Sequence, residues 1–533
     1  MQKSEIPYAS TGFFSKIILD YLSGEESLMP FYDLRPELSS FKEAIQKKQK
    51  EFFDRSNLAA TILKQYKDAG VNGAEAQIDL LKNANTFCLV TAHQLNIFTG
   101  PLYFIYKIIS TINTCKTLKE FNPEYNFVPV FWLGSEDHDF DEINHFSIFG
   151  KTISWQTEGK GATGRLNPSS IEAVLNDLKA VLGESENAKH IFHIFEDAYT
   201  TSLTLAQATR KYLHTLFGEK GLVIIDGDDN YLKSVCIPLT EDEITNQSSY
   251  SIVTKTCEKL ALQYSIQANP REINLFYLKD NLRERIAFDS SSNKYQVLNT
   301  QITFSKEEIL QEVKTNPRHF SPNVILRPLF QQKVLPALAY VGGGGELAYW
   351  LQLKELFNHH NITFPVLLLR NSALIIDNIT SAKMQKLKLQ PAHIFAEEET
   401  LLKIFLKANT STLLSLEKQR EKIENILEEI KKQAVTIDSS LENAVNAEKQ
   451  NLLNSFQKLE AKLLKAEKLR AETSISQIRN IKHKLFPSGD LQERKENFLQ
   501  FYTLQGNVFF EQLYAAFEPF QQTFVIIQDI KKT

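Results

Sequence analysis

Apolar residues fall in short runs, each ending in a cluster of polar ones. Thr86-Phe87-Cys88-Leu89-Val90 leads into Thr91-Ala92-His93-Gln94-Leu95-Asn96-Ile97-Phe98-Thr99-Gly100-Pro101. Leu102, Ile105, Ile108, Ile109 and Ile112 follow at steps of three and four, the stripe of a helix with one buried face. The next run, Phe127 to Leu133, ends in Glu136-Asp137-His138-Asp139. Strand, polar loop, helix, strand, polar loop is the order of a βαβ unit, whose parallel strands put both loops at one sheet edge. Leu222-Val223-Ile224-Ile225 before Asp226-Gly227-Asp228-Asp229 predicts another strand. Leu338-Ala339-Tyr340-Val341, then Gly342-Gly343-Gly344-Gly345-Glu346, a helix through Leu356 and Phe357, and Phe364 to Arg370 repeat the unit.

Other segments carry different periods. The stretch to about Lys82 predicts helices, with spaced apolar positions over Phe41 to Phe53 and Leu58 to Lys67. Residues 150–219 suggest an insertion of mixed helices and turns, and residues 239–319, rich in Ser, Asn and charge, a second and irregular one. From about Leu413 to Leu485 Gly and Pro almost vanish. Ile423, Leu427, Ile430, Ala434, Ile437, Leu441 and Ala444 alternate steps of four and three, as do Leu452, Phe456, Leu459, Leu463 and Ala466. This heptad predicts a left-handed coiled coil. Asp438-Ser439-Ser440 would cap a second helix and make an antiparallel hairpin. Pro487-Ser488-Gly489 ends it. The expected plan is an α/β core over 1–385, a coiled-coil domain over 386–490, and a C-terminal helical segment over 491–533 that packs back on the core.

A chain of 533 residues exceeds one domain of usual size. Its net charge of −4 supplies no basic footprint, so no nucleic-acid partner is expected. Cys88, Cys115, Cys236 and Cys257 are scattered without CxxC spacing, which points to a reducing compartment and away from disulfides or a cysteine-bound metal. The first residues lack a signal-peptide core, and no apolar run approaches the roughly 20 residues of a membrane span. A cytoplasmic protein without a membrane partner is expected.

Several stretches resemble one family, BshC, the cysteine-adding ligase of bacillithiol biosynthesis. They are His93-Gln94 with Phe98 to Tyr103, Pro129-Val130-Phe131-Trp132 with Glu136 to Asp139, and Ile143-Asn144-His145. Further along come Arg327-Pro328, Leu335-Pro336, Ala339 to Gly343, Gly345 to Trp350, Leu485-Phe486-Pro487 and Leu491 to Arg494. The resemblance covers nearly the whole chain. It implies a Rossmann-like core of nucleotidyltransferase and class I synthetase type, two connecting insertions, and a coiled coil that makes a homodimer. The implied reaction ligates L-cysteine to the amine of glucosaminyl-malate, with ATP activating the carboxylate as an adenylate or acyl phosphate and Mg²⁺ a further candidate. Ala92 stands where the family commonly has Gly, which would alter a close ligand contact there. A synthetase acting on another amino acid or sugar acceptor, and a nucleotide-sensing coiled-coil scaffold, remain alternatives.

The candidate catalytic residues are His93, Glu136, Asp137, His138 and Asp139. With the resemblance, His93 would donate to a phosphate oxygen at the start of a helix; the bland alternative is satisfaction of loop backbone. Three carboxylates around His138 could orient an amine or hold Mg²⁺ through water, with His138 as base; the alternative is an acid-capped strand end. No protein metal ligands are assigned. Gln94, Asn96, Thr99 and Gly100 are candidate substrate or nucleotide contacts. So are Tyr340, Gly342, Gly343, Gly345, Glu346, Trp350 and Arg370. The glycines would admit positive φ and close ligand approach, or make only a tight turn. Tyr340 and Trp350 could equally be core or pocket wall. Arg370, ending a buried strand, needs an anion, from a ligand or from an Asp or Glu. Arg327 is a weaker case of the same kind. Lys107 reads as a solvated helix residue, and no cysteine reads as catalytic.

Overall fold

The computed structural model describes residues 2–409 and 416–529. Leu413, the expected start of the glycine-poor stretch, lies outside the described residues. The chain divides into two compact units. The larger comprises residues 5–373 and 490–525, the smaller residues 2–4, 374–489 and 526–529 among those described. The break near 373 falls earlier than the expected 385, because residues 374–376 of the strand Ala373–Ile376 and the helix Asn378–Lys386 belong with the helical part.

The larger unit is built on five parallel strands: β1 (Thr86–His93), β2 (Asn126–Leu133), β3 (Val223–Asp226), β4 (Ala337–Gly342) and β5 (Val366–Leu369). Their order in the sheet is β5-β4-β1-β2-β3. The mixed α/β, Rossmann-like reading therefore holds. Each strand is a near-continuous apolar run because helices cover both faces of a parallel sheet, leaving little surface for polar alternation. Register pairs His93 with Leu133 and Leu133 with Asp226, while Gly342 lies opposite Leu369. The carboxyl ends of all five strands thus meet at one edge. The long helix Tyr103–Phe121 crosses between β1 and β2 and is buried around most of its circumference.

Two expectations change. The N-terminal stretch contributes a strand, Gln2–Pro7, as well as helices; it lies beside Thr523–Gln528 in a three-stranded sheet with Ala373–Ile376. The C-terminal segment consequently ends in a strand instead of being wholly helical. The second insertion is not irregular either. After the helices Ile237–Asn246 and Ser248–Leu260 it folds into an antiparallel sheet of five strands. Its order is Thr303–Phe304, Lys294–Val297, Leu282–Asp289, Leu275–Lys279, Phe320–Pro322. An antiparallel sheet with one wet face takes charged residues at alternate positions, which hides it from a search for apolar runs. The first insertion carries a short hairpin, His145–Ile148 with Lys151–Ser154, followed by helices.

In the smaller unit Glu417–Ile437 and Leu441–Arg470 form an antiparallel helical hairpin around residues 438–440. Cross-helix ion pairs join Lys449 to Glu428 at 2.7 Å and Lys431 to Glu442 at 2.8 Å. The heptad stripe divides. Leu427 is buried and Ile423, Ala434, Leu452 and Phe456 are half-buried, whereas Ile430, Ile437, Leu441, Leu459 and Leu463 remain exposed. Two helices alone cover only a narrow seam, so a wide apolar stripe leaves its flank in water.

Candidate active site

A cavity of about 480 Å³ opens at the carboxyl edge of the parallel sheet. His93 and Gln94 from the end of β1, and Glu136 to Asp139 from beyond β2, line its floor. Tyr340 and Glu346 bound it near β4. The antiparallel sheet of the second insertion supplies Phe276, Arg283 and Arg285, with Arg271 and Arg327 nearby. The two loops expected to converge do so, and the cleft is lined by arginines as well as by the acidic loop.

Gln94 joins the two loops. Its amide nitrogen donates to Asp137 Oδ2 at 2.8 Å and to Glu142 Oε2 at 2.7 Å, using both hydrogens on carboxylates. Asp137 Oδ1 accepts from the His138 amide at 2.8 Å and lies 3.5 Å from Arg283 Nη1. Arg283 is buried, with its guanidinium 3.9 Å from the centre of the Phe276 ring, and donates to Ser321 Oγ at 3.3 Å and to His138 Nδ1 at 2.6 Å. A guanidinium only donates, so Nδ1 of His138 is an acceptor and the ring proton sits on Nε2. In this arrangement the lone pair a general base would use is already taken by Arg283. Glu136 is ion-paired with Lys233, which also donates to the Phe320 carbonyl at 3.0 Å. Burial pushes the Glu136 carboxyl upward, an effect Lys233 opposes.

His93 lies against Tyr103 and Phe104, and burial drives its pKa down to about 3, so the ring is neutral near pH 7. Nδ1 sits 3.1 Å from the Gln94 carbonyl oxygen, which only accepts. The proton therefore resides on Nδ1 and Nε2 presents a lone pair. Donation to phosphate from Nε2, as expected from sequence, would need a second proton that burial disfavours. In this geometry His93 offers the cleft an acceptor.

Lys107 is the clearest departure. It is buried, not solvated, donating to the Ala92 carbonyl at 2.9 Å and pairing with Glu346 Oε2 at 2.5 Å. Glu346 also accepts from Tyr340 Oη at 2.5 Å and from the Gly343 amide at 2.8 Å. Burial acts to raise the Glu346 pKa, but Lys107, Tyr340 and Gly343 together hold it at about 2. Glu346 thus occupies the helix-start amide that a ligand phosphate was expected to use. Gly342, Gly343 and Gly345 do not adopt positive φ. Gly342 is required by space, since a Cβ there would lie 2.8 Å from the Tyr340 ring and 2.9 Å from Leu347. Trp350 is fully buried and stacks on Tyr340 with ring centres 4.5 Å apart, behind the cleft surface.

Arg370 finds its anion within the protein. Its Nη2 donates to Glu493 Oε1 at 2.7 Å; Glu493 also accepts from Ser372 Oγ at 3.1 Å and from the Ala373 amide at 3.0 Å. Neither Arg370 nor Glu493 lines the cleft. Asn96, Thr99 and Gly100 are buried in a loop that does not line the cleft. Phe98, Thr99 and Gly100 all have positive φ, at 50°, 69° and 58°. Asn497 holds this loop by donating to the carbonyls of Phe98 and Gly100 at 2.8 and 2.6 Å, and the Phe98 amide donates to the Tyr199 hydroxyl at 3.0 Å. Such consecutive left-handed residues persist only when their surroundings fix them.

Beyond β3, Asp228 anchors both insertions. It accepts from Arg165 at 2.7 and 2.8 Å and from Arg318 at 2.8 and 3.1 Å. Burial opposes ionisation, yet the two guanidiniums hold its carboxyl well below the usual range. Sequence reading missed Arg271, Arg283 and Arg285 as cleft residues. The signal available was Arg283-Glu284-Arg285, whose alternation in a strand sends both arginines to one face.

A parallel α/β sheet with a charged cleft at its carboxyl edge, an inserted antiparallel sheet and a helical hairpin together define a Rossmann-like protein with an appended coiled coil. Family models described as bacillithiol biosynthesis BshC match the chain throughout, the N-terminal Rossmann-like domain over residues 1–371 and the C-terminal coiled-coil domain over 373–528. The chain belongs to the BshC family. A relative from Flavobacterium psychrophilum, named "Putative cysteine ligase BshC", is 44% identical over 98% of this chain and 99% of its own. One from Flavobacterium johnsoniae with the same name is 42% identical over 98% and 99%. A solved structure from Campylobacter jejuni, titled as an arginyl-tRNA synthetase, covers 81% of this chain and 92% of its own at 12% identity, with a TM-score of 0.23 that carries no argument.

Glu346 links this geometry to pH. Its folded pKa of about 2 lies below the ordinary 4.5, so the stabilisation it contributes is present above pH 4.5 and is lost as pH falls toward 2. Lys107→Met should remove much of it, at most about 3 kcal/mol. Urea midpoints of wild type and variant should differ most above pH 5 and the gap should shrink steadily below pH 4.5; a gap at pH 2.5 as large as that at pH 6 would contradict this account.

Proposed function

We propose that this chain is the ligase that joins L-cysteine to the amine of glucosaminyl-malate, forming the amide of bacillithiol with ATP as the activating co-substrate. Family membership and the name shared by its relatives support the pathway step. The observation that carries the reading is one cavity with two opposite linings. Arg271, Arg283, Arg285 and Arg327 line it together with Glu136, Asp137 and Asp139, and Arg283 lies 3.5 Å from Asp137. The substrates have the same duality: malate and phosphate are anions, while cysteine and the glucosamine acceptor each bring an amine.

An amide does not form usefully from a free carboxylate in water, and ATP would supply the group that turns the cysteine carboxylate into an acyl donor. The residues present fit such an anion. Arg283 is buried yet keeps donors toward the cleft rim, and a guanidinium matches phosphate or carboxylate geometry. Bound anions are oriented by these arginines, and ammonium groups by Asp137 and Asp139. His93 Nε2 accepts a hydrogen from a substrate N–H or O–H. The aromatic and aliphatic wall around Trp132, Phe276 and Tyr349 limits water at the reacting carbon. Mg²⁺ fits less well as a protein-held ion, because Glu136 and Asp137 already have cationic or amide partners; it would enter on the nucleotide.

The exposed flank of the hairpin supports a homodimer through the coiled coil. Ile430, Leu459 and Leu463 are 45%, 50% and 38% exposed, an apolar strip that a second copy would cover.

Three outcomes are expected. Cells lacking the gene should accumulate glucosaminyl-malate and lose bacillithiol by thiol profiling; unchanged pools would remove this reading. Arg283→Met should lower kcat/KM by about a hundredfold or more with the fold retained by circular dichroism, whereas wild-type turnover would exclude an anion-holding role. Ile430→Asp should shift sedimentation from dimer to monomer while the helical signal stays, and an unaltered dimer would place the interface elsewhere.

A further inference from the structure

Outside the cleft, the helix Ile237–Asn246 and the helix Lys354–His359 carry a second group of convergent polar atoms. Asp242 Oδ1 accepts from Asn246 Nδ2 at 2.7 Å, which fixes the carboxylate plane. Asp242 Oδ2 is shielded from solvent and accepts no hydrogen bond. Two imidazole nitrogens face it instead, His359 Nε2 at 3.8 Å and His360 Nε2 at 3.6 Å. These separations exceed a hydrogen bond, so no ring proton is shared directly with the carboxylate. The three atoms lie within 4.8 Å of one another. The adjacent rings are nearly perpendicular, at 80° with centres 4.8 Å apart, so their nitrogens converge without stacking. His359 is the last residue of its helix, and Asn361, with φ of 53°, turns the chain immediately after His360.

We propose that Asp242, His359 and His360 bind a divalent cation of the zinc class, completed by water. Two imidazoles and a carboxylate select zinc, cobalt or nickel over magnesium or calcium, which favour oxygen. Bonds of about 2.0–2.2 Å at tetrahedral angles separate donor atoms by roughly 3.4 Å, close to the two histidine–aspartate spacings observed. The His359 side chain, 44% exposed, is free to rotate into place and leaves the fourth position open to solvent. Asn246 holds the ligating carboxylate as outer partners of metal ligands do. None of the three residues lines the cleft. The cation ties a helix of the second insertion to a helix that follows β4, and so stiffens the support of the cleft roof.

The test uses the full chain, stripped with EDTA, dialysed into thiol-free buffer, and titrated with ZnCl₂ or CoCl₂. Wild type should retain one equivalent of zinc per chain by elemental analysis, gain several degrees in thermal midpoint, and give the visible absorption of low-coordinate cobalt. Asp242→Asn and His360→Ala should weaken binding by about tenfold or more and abolish the thermal gain. His359→Ala, at an exposed position, serves as the variant least able to disturb folding and should show the same loss. Magnesium in large excess should leave the bound zinc in place. Substoichiometric binding by wild type, equal binding by the variants, or displacement by magnesium would each overturn the assignment.

Discussion

A buried ammonium must have acceptors, and Lys107 finds them in two places that the chain reaches far apart. Its partners are the carbonyl of Ala92, at the end of β1, and the carboxylate of Glu346, just beyond β4. These strands are neighbours in the sheet, so one side chain on the crossing helix fixes the spacing of their carboxyl ends. Removing the Glu346 carboxylate would leave a charge uncompensated in a medium that does not tolerate it. The positions of His93, of Tyr340 and of the glycine turn all follow from that constraint. The cleft is therefore held open by electrostatics beneath its floor, while the groups above it are left to meet a ligand.

The same economy recurs around the rim. Gln94 spends both amide hydrogens on carboxylates of the neighbouring loop, and Asp228 spends both oxygens on guanidiniums from the two insertions. Charges that hold the scaffold are thereby separated from those that face the cavity. Arg370 with Glu493 belongs to the first kind, and Arg283 stands between the two, since it touches His138 and Asp137 yet also borders the cleft.

How far the sequence discloses this depends on whether a feature is local. The strands of the parallel sheet are short apolar runs because both faces are covered, and their loops carry the polar clusters, so His93 and the Glu136–Asp139 group could be brought together by topology alone. The heptad likewise reveals a hairpin, though not which half of the stripe the partner helix covers. What escaped reading depends on partners distant in the chain. Lys107 looks like any helix lysine until β4 places Glu346 beside it. Arg370 looks like a ligand residue until Glu493 arrives from more than a hundred positions downstream. The arginine wall escaped because its strands alternate polar and apolar residues on a half-wet sheet. The glycine run misled for a simpler reason: Gly342 is there to spare a collision with Tyr340, not to turn the backbone.

The loop of three left-handed residues after β1 carries one more consequence. Asn497, which clamps the carbonyls of Phe98 and Gly100, leaves the ribosome some four hundred residues after the segment it clamps. Throughout most of synthesis that loop has no such restraint, and its strained backbone is free to relax. Vectorial folding can lay down the sheet early, but the turn after β1 is fixed only once Asn497 emerges. The turn after β1 thus reaches its final form late in synthesis.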